Sequence, residues 1–242
     1  MKVAFSVVTV VRNAGASIEK TINSVIRQTE AKFEYIVIDG ASTDGTTAVL
    51  DRYREFFSVL ISEEDAGIYD AMNKAIQLAR NEYLIFMNSG DTFQHDRVLA
   101  GFHRAIQSNP RADVVYGDYL DLGTLKCVTQ RHVRNQYFFF RRTLCHQSAV
   151  VKVSTLRTHG GFSNNYLILA DRDFFLRVSR SRGVFVKTNL LVCSWEDVGY
   201  SSSNRDVLNR EVERFRRLNY PFLSLIAGLR STICAMVLKI HQ

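Results

Sequence analysis

Unbroken apolar runs and helically spaced segments alternate along the N-terminal half of the chain. Val3–Val11 is rich in valine and nearly free of polar residues, as a strand buried on both faces should be. In Ser17–Thr29, Ile18, Ile22, Val25 and Ile26 fall on one helical face, with Ser17 placed as an N-cap. Phe33–Ile38 reads as a strand, and Thr47–Phe57 has helical spacing through Val49, Leu50, Tyr53 and Phe57. Val59–Ser62 is a short strand, and Ile68–Arg80 is a helix burying Met72, Ala75, Ile76 and Ala79. Tyr83–Met87 is a further apolar run that ends in the polar turn Asn88-Ser89-Gly90-Asp91. This alternation predicts a doubly wound, mostly parallel α/β sheet with right-handed crossovers.

Beyond residue 110 the pattern loosens. Strands are predicted at Asp113–Tyr116, Leu125–Val133 (at an edge), Ser148–Val153 and Gly183–Cys193. Helices are predicted at Leu169–Ser181, with Phe174, Phe175 and Val178 facing the core, and at the charged Asn204–Leu218. With two prolines and 13 glycines, no linker divides the chain. We therefore expect one domain over 1–220, in which a regular half (1–110) continues into a mixed-sheet half (111–220). The segment Pro221–Ile240 keeps helical spacing through Phe222, Leu225, Ile226, Leu229, Ile233, Met236, Val237 and Ile240, interrupted by Arg230. A charge at that position disfavours a transmembrane span. Two readings stay open: an amphipathic helix in the membrane interface, or a terminal helix packed on protein.

The 242 residues are 46% hydrophobic, with a net charge of +7 and a pI near 9.3. A folded core is implied, and the positive excess suits nucleic acid, an anionic membrane or a phosphorylated substrate. The excess is late: Arg131, Arg134, Arg141 and Arg142, then Arg205, Arg210, Arg214, Arg216 and Arg217. These groups lack interleaved aromatics apart from Tyr137–Phe140, which argues against nucleic acid. Cys127, Cys145, Cys193 and Cys234 form no C-x-x-C pair, so they read as reduced thiols in a cytosolic protein. Val3–Val11 could pass for a signal-peptide core, but Arg12 stands between it and the small residues Ala14-Gly-Ala16, which favours the strand.

Polar residues recur where the N-terminal strands end: Asp39 and Asp44, Asp65, then Asn88 and Asp91. In open α/β sheets that edge is where ligands bind. Carboxylates there do not suit a bare phosphate. They suit hydrogen bonding to a base and ribose, or a Mg²⁺ or Mn²⁺ ion bridging a diphosphate. Neither G-x-x-x-x-G-K nor G-x-G-x-x-G occurs, against P-loop and Rossmann dinucleotide sites. Asp70 and Lys74 are spaced as a helical ion pair. His146-Gln147 precedes a strand and is placed to meet an acceptor or a pyrophosphate. Trp195-Glu196 could stack on a sugar ring or simply pack. Asp171 opens a helix, where the dipole favours a carboxylate whatever its role.

Four motifs taken together resemble family 2 glycosyltransferases, most closely the bacterial exopolysaccharide and O-antigen members. They are Ser-Val-Val-Thr-Val (6–10) with Asn13, Asp39-Gly-x-Ser-Thr-Asp-Gly-Thr46, Asp65-x-Gly-Ile-Tyr-Asp-Ala-Met-Asn-Lys74, and Asn88-Ser-Gly-Asp91. Weaker echoes follow at His146-Gln147, Gly160-Gly-Phe162 and Asp171-x-Asp-x-x-x-Arg177. The resemblance implies a GT-A fold with a nucleotide-sugar half and an acceptor half. It implies inverting transfer from a nucleotide-sugar, with UDP-sugar favoured, to a growing, lipid-linked oligosaccharide in cell-surface polysaccharide synthesis. Apart from the resemblance, the cysteine usage places the chain in the cytoplasm, and the membrane-interface reading of its C-terminal helix would put it peripherally at the inner face of the plasma membrane. Thr9 and Asp39 would contact base and ribose, and Asp65 would line the same pocket with Asn73 and Lys74 nearby. Asp91 would hold a divalent cation (Mn²⁺ or Mg²⁺) with Asn88 or Ser89 assisting, although Gly90 stands where the family usually has another carboxylate. Asp171 would be the catalytic base, with Asp173 the alternative. Two other functions fit less well: a sugar nucleotidyltransferase, for which Arg12-Asn-Ala-Gly15 is a poor phosphate loop, and a non-catalytic nucleotide-sugar binding protein.

Overall fold

The computed structural model describes residues 3–195 and 204–226. Its centre is a parallel block built on β1 (Ala4–Val11). β2 (Lys32–Asp39) pairs with β1 along its whole length, from Ala4↔Lys32 to Val11↔Asp39. β3 (Val59–Ser62) lies beyond β2, and β4 (Tyr83–Phe86) lies on the other side of β1; both are parallel to their neighbours. The crossovers are α1 (Ile18–Ile26), α2 (Thr46–Arg52) and α3 (Ile68–Leu78). This is the doubly wound half predicted from the apolar runs.

Past β4 the same sheet continues with mixed direction. β8 (Ala149–Lys152) runs antiparallel to β4, and β6 (Val114–Asp121) runs antiparallel to β8. β9 (Phe185–Trp195) is parallel to β6, and the two-residue β5 (Thr92–Phe93) is antiparallel to β9. The short β7 (Lys126–Val128) forms a hairpin with β6. The remaining helices are α4 (Val98–Ser108), α5 (Val153–Thr158), α6 (Ala170–Arg180) and α7 (Arg205–Asn219).

Side chains alternate across the sheet, so β1 feeds two cores. Phe5, Val7 and Val11 join Ile18 and Ile22 of α1 and Val98, Leu99 and Phe102 of α4 on one face. Val8 and Val10 face Met72 and Ile76 of α3, Leu156 of α5, Phe174 of α6 and Phe215 of α7 on the other.

Several local expectations are corrected. α1 ends at Ile26 rather than Thr29, because Gln28 and Thr29 turn to bond the carbonyls of His95 and Asp96. Ser17 does not cap it; its hydroxyl lies 3.4 Å from both Ala14 O and Ser89 Oγ. α2 stops at Arg52, and a 3-10 turn over Arg54–Phe56 replaces its predicted end. The strand expected over Leu125–Val133 shrinks to Lys126–Val128, since Gln130 is drawn inward to Gly117 O, Ser148 Oγ and the Cys145 amide. α4 and α5 are elements that the sequence reading did not assign. Residues 221–226 are helical, and the rest of the predicted C-terminal helix lies outside the described residues, as does Glu196. Among the described residues no helix is long and apolar enough to cross a membrane.

Candidate active site

The carboxyl ends of β1, β2 and β3 meet in a cradle. Asp39, the last residue of β2, is fully buried beneath the turn that follows it. Its carboxylate accepts from the backbone N–H and hydroxyl of Ser42 and, at 2.6 Å, from the hydroxyl of Ser62. Asp44 binds across to the preceding loop: it accepts from the Thr46 amide at 2.9 Å and the Gly15 amide at 3.1 Å. The Thr46 hydroxyl and these two amides hold its carboxyl below the usual range. Asn13, in a left-handed conformation (φ 51°), donates its amide to Ser42 Oγ and accepts from Thr43 N. Asp65 reaches over Gly40. A Cβ at residue 40 would sit 2.3 Å from Asp65 Oδ2 and 3.3 Å from the Arg12 side chain, so this approach requires glycine.

The turn after β4 forms the second part. Asn88 and Asp91 are buried, and Asp91 N closes the turn on Asn88 O at 3.0 Å. Gly90 has φ 102°, a region that side-chain-bearing residues rarely adopt. Thr21 of α1 bonds the Gly90 amide at 3.0 Å and the Asp91 carbonyl at 2.8 Å, fixing the turn from below. The missing carboxylate therefore has a backbone cause, since the turn that presents Asp91 depends on glycine beside it.

The 3-10 turn His146–Ser148, leading into β8, links this turn to α6. Gln147 Nε2 donates to Asp91 Oδ2 at 2.9 Å. His146 Nε2 lies 3.1 Å from Asn88 Nδ2, and its Nδ1 lies 3.6 Å from Asp171 Oδ2 at the start of α6. Burial pulls the imidazole toward its neutral form. The bond and charge of Asp171, then Cys145 and Asp91, outweigh this and raise its pKa above the ordinary value. Asp171, itself buried, also accepts from the Arg172 amide at 2.6 Å. Asn88, Asp91, His146, Gln147 and Asp171 thus form one polar network between the two halves of the sheet.

Other predicted site residues have different work. Thr9 is fully buried on the α1 face of β1, where its hydroxyl donates to Met87 O at 2.8 Å beside Tyr35 Oη. Neither Thr9 nor Asp39 has surface to offer a base or ribose; of the other cradle carboxylates Asp65 is half-buried and Asp44 exposed. Asn73 turns away from the cradle: its amide donates to Phe162 O and accepts from Phe162 N, both at 2.8 Å. Lys74 pairs with Glu63 at 2.8 Å and Asp70 at 3.5 Å, holding the loop that carries Asp65. Asp173 is committed to Arg177 at 2.8 Å, and Arg177 reaches on to the carbonyls of His159 and Gly161. This leaves Asp171 as the carboxylate at the network. Trp195 packs edge-on against Tyr119. Ser89 lies beside Ser17 at the rim.

Residues 6–155 match the family model described as glycosyl transferase family 2. The chain belongs to this family. It is similar to a PGL/p-HBAD biosynthesis glycosyltransferase of Mycobacterium bovis, 27% identical over 199 residues, covering 81% of this chain and 77% of that protein. Among solved structures it is similar to Staphylococcus aureus TarS (residues 1–349) in complex with UDP-GlcNAc, with a TM-score of 0.71 at 18% identity. That likeness covers 88% of this glycosyltransferase but 65% of the TarS chain. A mannosyltransferase of Pyrobaculum calidifontis, in complex with GDP-Man and Mn²⁺, aligns with a TM-score of 0.65 at 17% identity over 97% and 80% of the two chains. The fold is that of GT-A glycosyltransferases.

The family implies a divalent cation. Among the described residues no group of three or more His, Cys, Asp or Glu side chains could hold a metal alone. The Asp91 turn nevertheless supplies hard oxygen donors: one carboxylate, and Asn88 Oδ1, which is buried without a hydrogen-bond partner. Such a set suits Mg²⁺ or Mn²⁺ when a diphosphate provides the remaining ligands. The sequence reading missed Glu211 of this glycosyltransferase. From α7 it accepts the amides of Leu167, Ile168 and Leu169 at 2.6–3.1 Å and so fixes the chain entering α6. Its only local signal was a carboxylate in a charged helix.

Proposed function

We propose that this glycosyltransferase moves one sugar, with inversion, from a nucleotide-sugar (a UDP-sugar favoured) to a lipid-linked saccharide acceptor in cell-surface polysaccharide synthesis, working at the cytoplasmic face of the membrane. The observation that carries the reading is the Asp91–Gln147 and Asn88–His146–Asp171 network, which puts a candidate base beside the turn suited to a diphosphate. The motif resemblance to exopolysaccharide enzymes, and UDP-GlcNAc bound to a structural relative, support the choice of substrates.

Asp65 and the loop amides over Asp39 and Asp44 bind the nucleoside. Asp91 and Asn88 would hold a divalent cation, which would supply charge stabilisation to the leaving diphosphate. Asp171 takes the proton of the acceptor hydroxyl as that oxygen attacks the anomeric carbon from the face opposite the diphosphate. His146, with Nδ1 3.6 Å from its carboxylate, aims Asp171.

Asp171→Asn should lower transfer roughly 10²–10⁴-fold, the usual contribution of a positioned base, with donor affinity retained. Asp91→Ala should lose both transfer and donor binding. Thermal shifts with UDP-, GDP- and dTDP-sugars, with and without Mn²⁺, identify the donor, and NMR of the product anomer tests inversion. A protein that no nucleotide-sugar stabilises would sink this reading.

A further inference from the structure

Arg180, the last residue of α6, ties three segments together. It donates to Gln136 Oε1 at 3.1 Å and to the side chain and carbonyl of Asn219 at 2.8 Å each, and it lies 5.8 Å from the Tyr220 ring. The Tyr220 hydroxyl in turn donates to Gln136 O. The 3-10 turn Gln136–Phe140, the end of α6 and the end of α7 therefore form one face. A groove of about 710 Å³ runs across it, walled by Tyr137, Phe140, Phe222 and Leu223. A second hollow of about 360 Å³, lined by Arg134 and Arg182, shares Gln136 and Arg180 with the first.

Large apolar side chains of the groove and of the adjoining helical segments stand in solvent. Phe222 is 72% exposed, Leu218 and Leu225 are each 63% exposed, and Tyr137 is 58% exposed. Arg141 in the groove and Arg134 and Arg182 in the second hollow are exposed, as are Arg142 and Arg217, which adjoin Arg141 and Leu218 in sequence. Among the described residues none of these arginines forms an ion pair with a carboxylate. An apolar patch rimmed by unneutralised cations marks a docking surface.

We propose that this face docks on an anionic lipid bilayer, with the aromatic and leucine side chains entering the interface and the arginines meeting the headgroups. A second copy would set arginines against arginines. Residues 227–242 carry Arg230 and Lys239 and no Asp or Glu. Anionic headgroups satisfy both components at once, as for interfacial basic amphipathic segments. Asp171 and Arg180 lie nine residues apart on α6, so the candidate base would stand about 13 Å from this face along the helix axis. The proposal rests on the lipid-linked acceptor for its purpose, but not for its test.

The full chain is sedimented with vesicles of phosphatidylcholine alone or mixed with phosphatidylglycerol, at low and high salt, without donor or acceptor. Binding is expected to the anionic vesicles only, weakening as salt rises. Arg141→Glu with Arg142→Glu should reduce partitioning by at least roughly fivefold per position, the effect of one basic residue near the surface. Phe222→Ser with Leu225→Ser should reduce it further, while melting temperatures and donor binding in solution stay at the wild-type values. The proposal is overturned by absent binding to anionic vesicles, by equal binding of the variants, or by a wild-type dimer in light scattering that Phe222→Ser dissolves. Because no sugar is transferred in this assay, its failure leaves the transfer reading standing.

Discussion

Gly90 shows what a single residue decides here. Its φ of 102° lets the chain turn sharply enough to present Asp91 to Gln147 and close the Asn88 turn. The position looks, by family habit, like a lost carboxylate. We expect Gly90→Asp not to restore a metal-binding pair. It should instead destabilise the fold by about 1–2 kcal/mol, the cost of a left-handed backbone for a side-chain-bearing residue, and it should lower kcat. Urea denaturation and steady-state kinetics on one preparation check both, and a gain in metal affinity would contradict the assignment. Gly40 works differently: it leaves room for Asp65 to lie against the backbone.

At the scale of elements, single carboxylates tie neighbouring segments together. Glu211 of α7 accepts three consecutive amides ahead of α6. Glu211→Ala leaves those amides without a partner, which should cost about 1–3 kcal/mol and lower kcat with little change in donor KM. Equal losses in binding and turnover would show that the loop does more than aim Asp171. Asp44 joins the loops after β1 and β2. Its folded pKa is depressed below the ordinary 3.8, so its contribution is present above that value and lost as pH falls through the lower, folded one. The melting-temperature gap between wild type and Asp44→Asn should therefore be open at neutral pH and close on acidification past that range.

For the whole molecule, the continuous sheet means that both halves share strands, with β4 bonded to β1 on one side and β8 on the other. The core on each face draws on both halves. We expect one cooperative unfolding transition, with far-UV and near-UV signals coinciding in denaturant. Two separated transitions would show that the two halves of the sheet are independent units.

The sequence alone determined the parallel block, because strands buried on both faces must be apolar throughout and their bounds are set by polar turns. β3 falls on Val59–Ser62 as the pattern predicts, and the site carboxylates follow those strand ends. It was less informative wherever a partner lies far along the chain. α4 carries no capping side chain and contains Gly101, where a Cβ would meet Leu190 of β9 at 2.6 Å. Its glycine is explained by tertiary contact rather than by helix propensity. Thr9 and Asn73 sit in site motifs, yet their hydrogen bonds go to Met87 and Phe162. The link from Asp91 to Gln147 spans 56 positions, and only the packing of β8 beside β4 brings them together. Periodicity reports which face of an element is buried, since burial repeats every two or 3.6 residues. Which polar group meets which is decided by the packing of distant segments, and only the tertiary structure shows it.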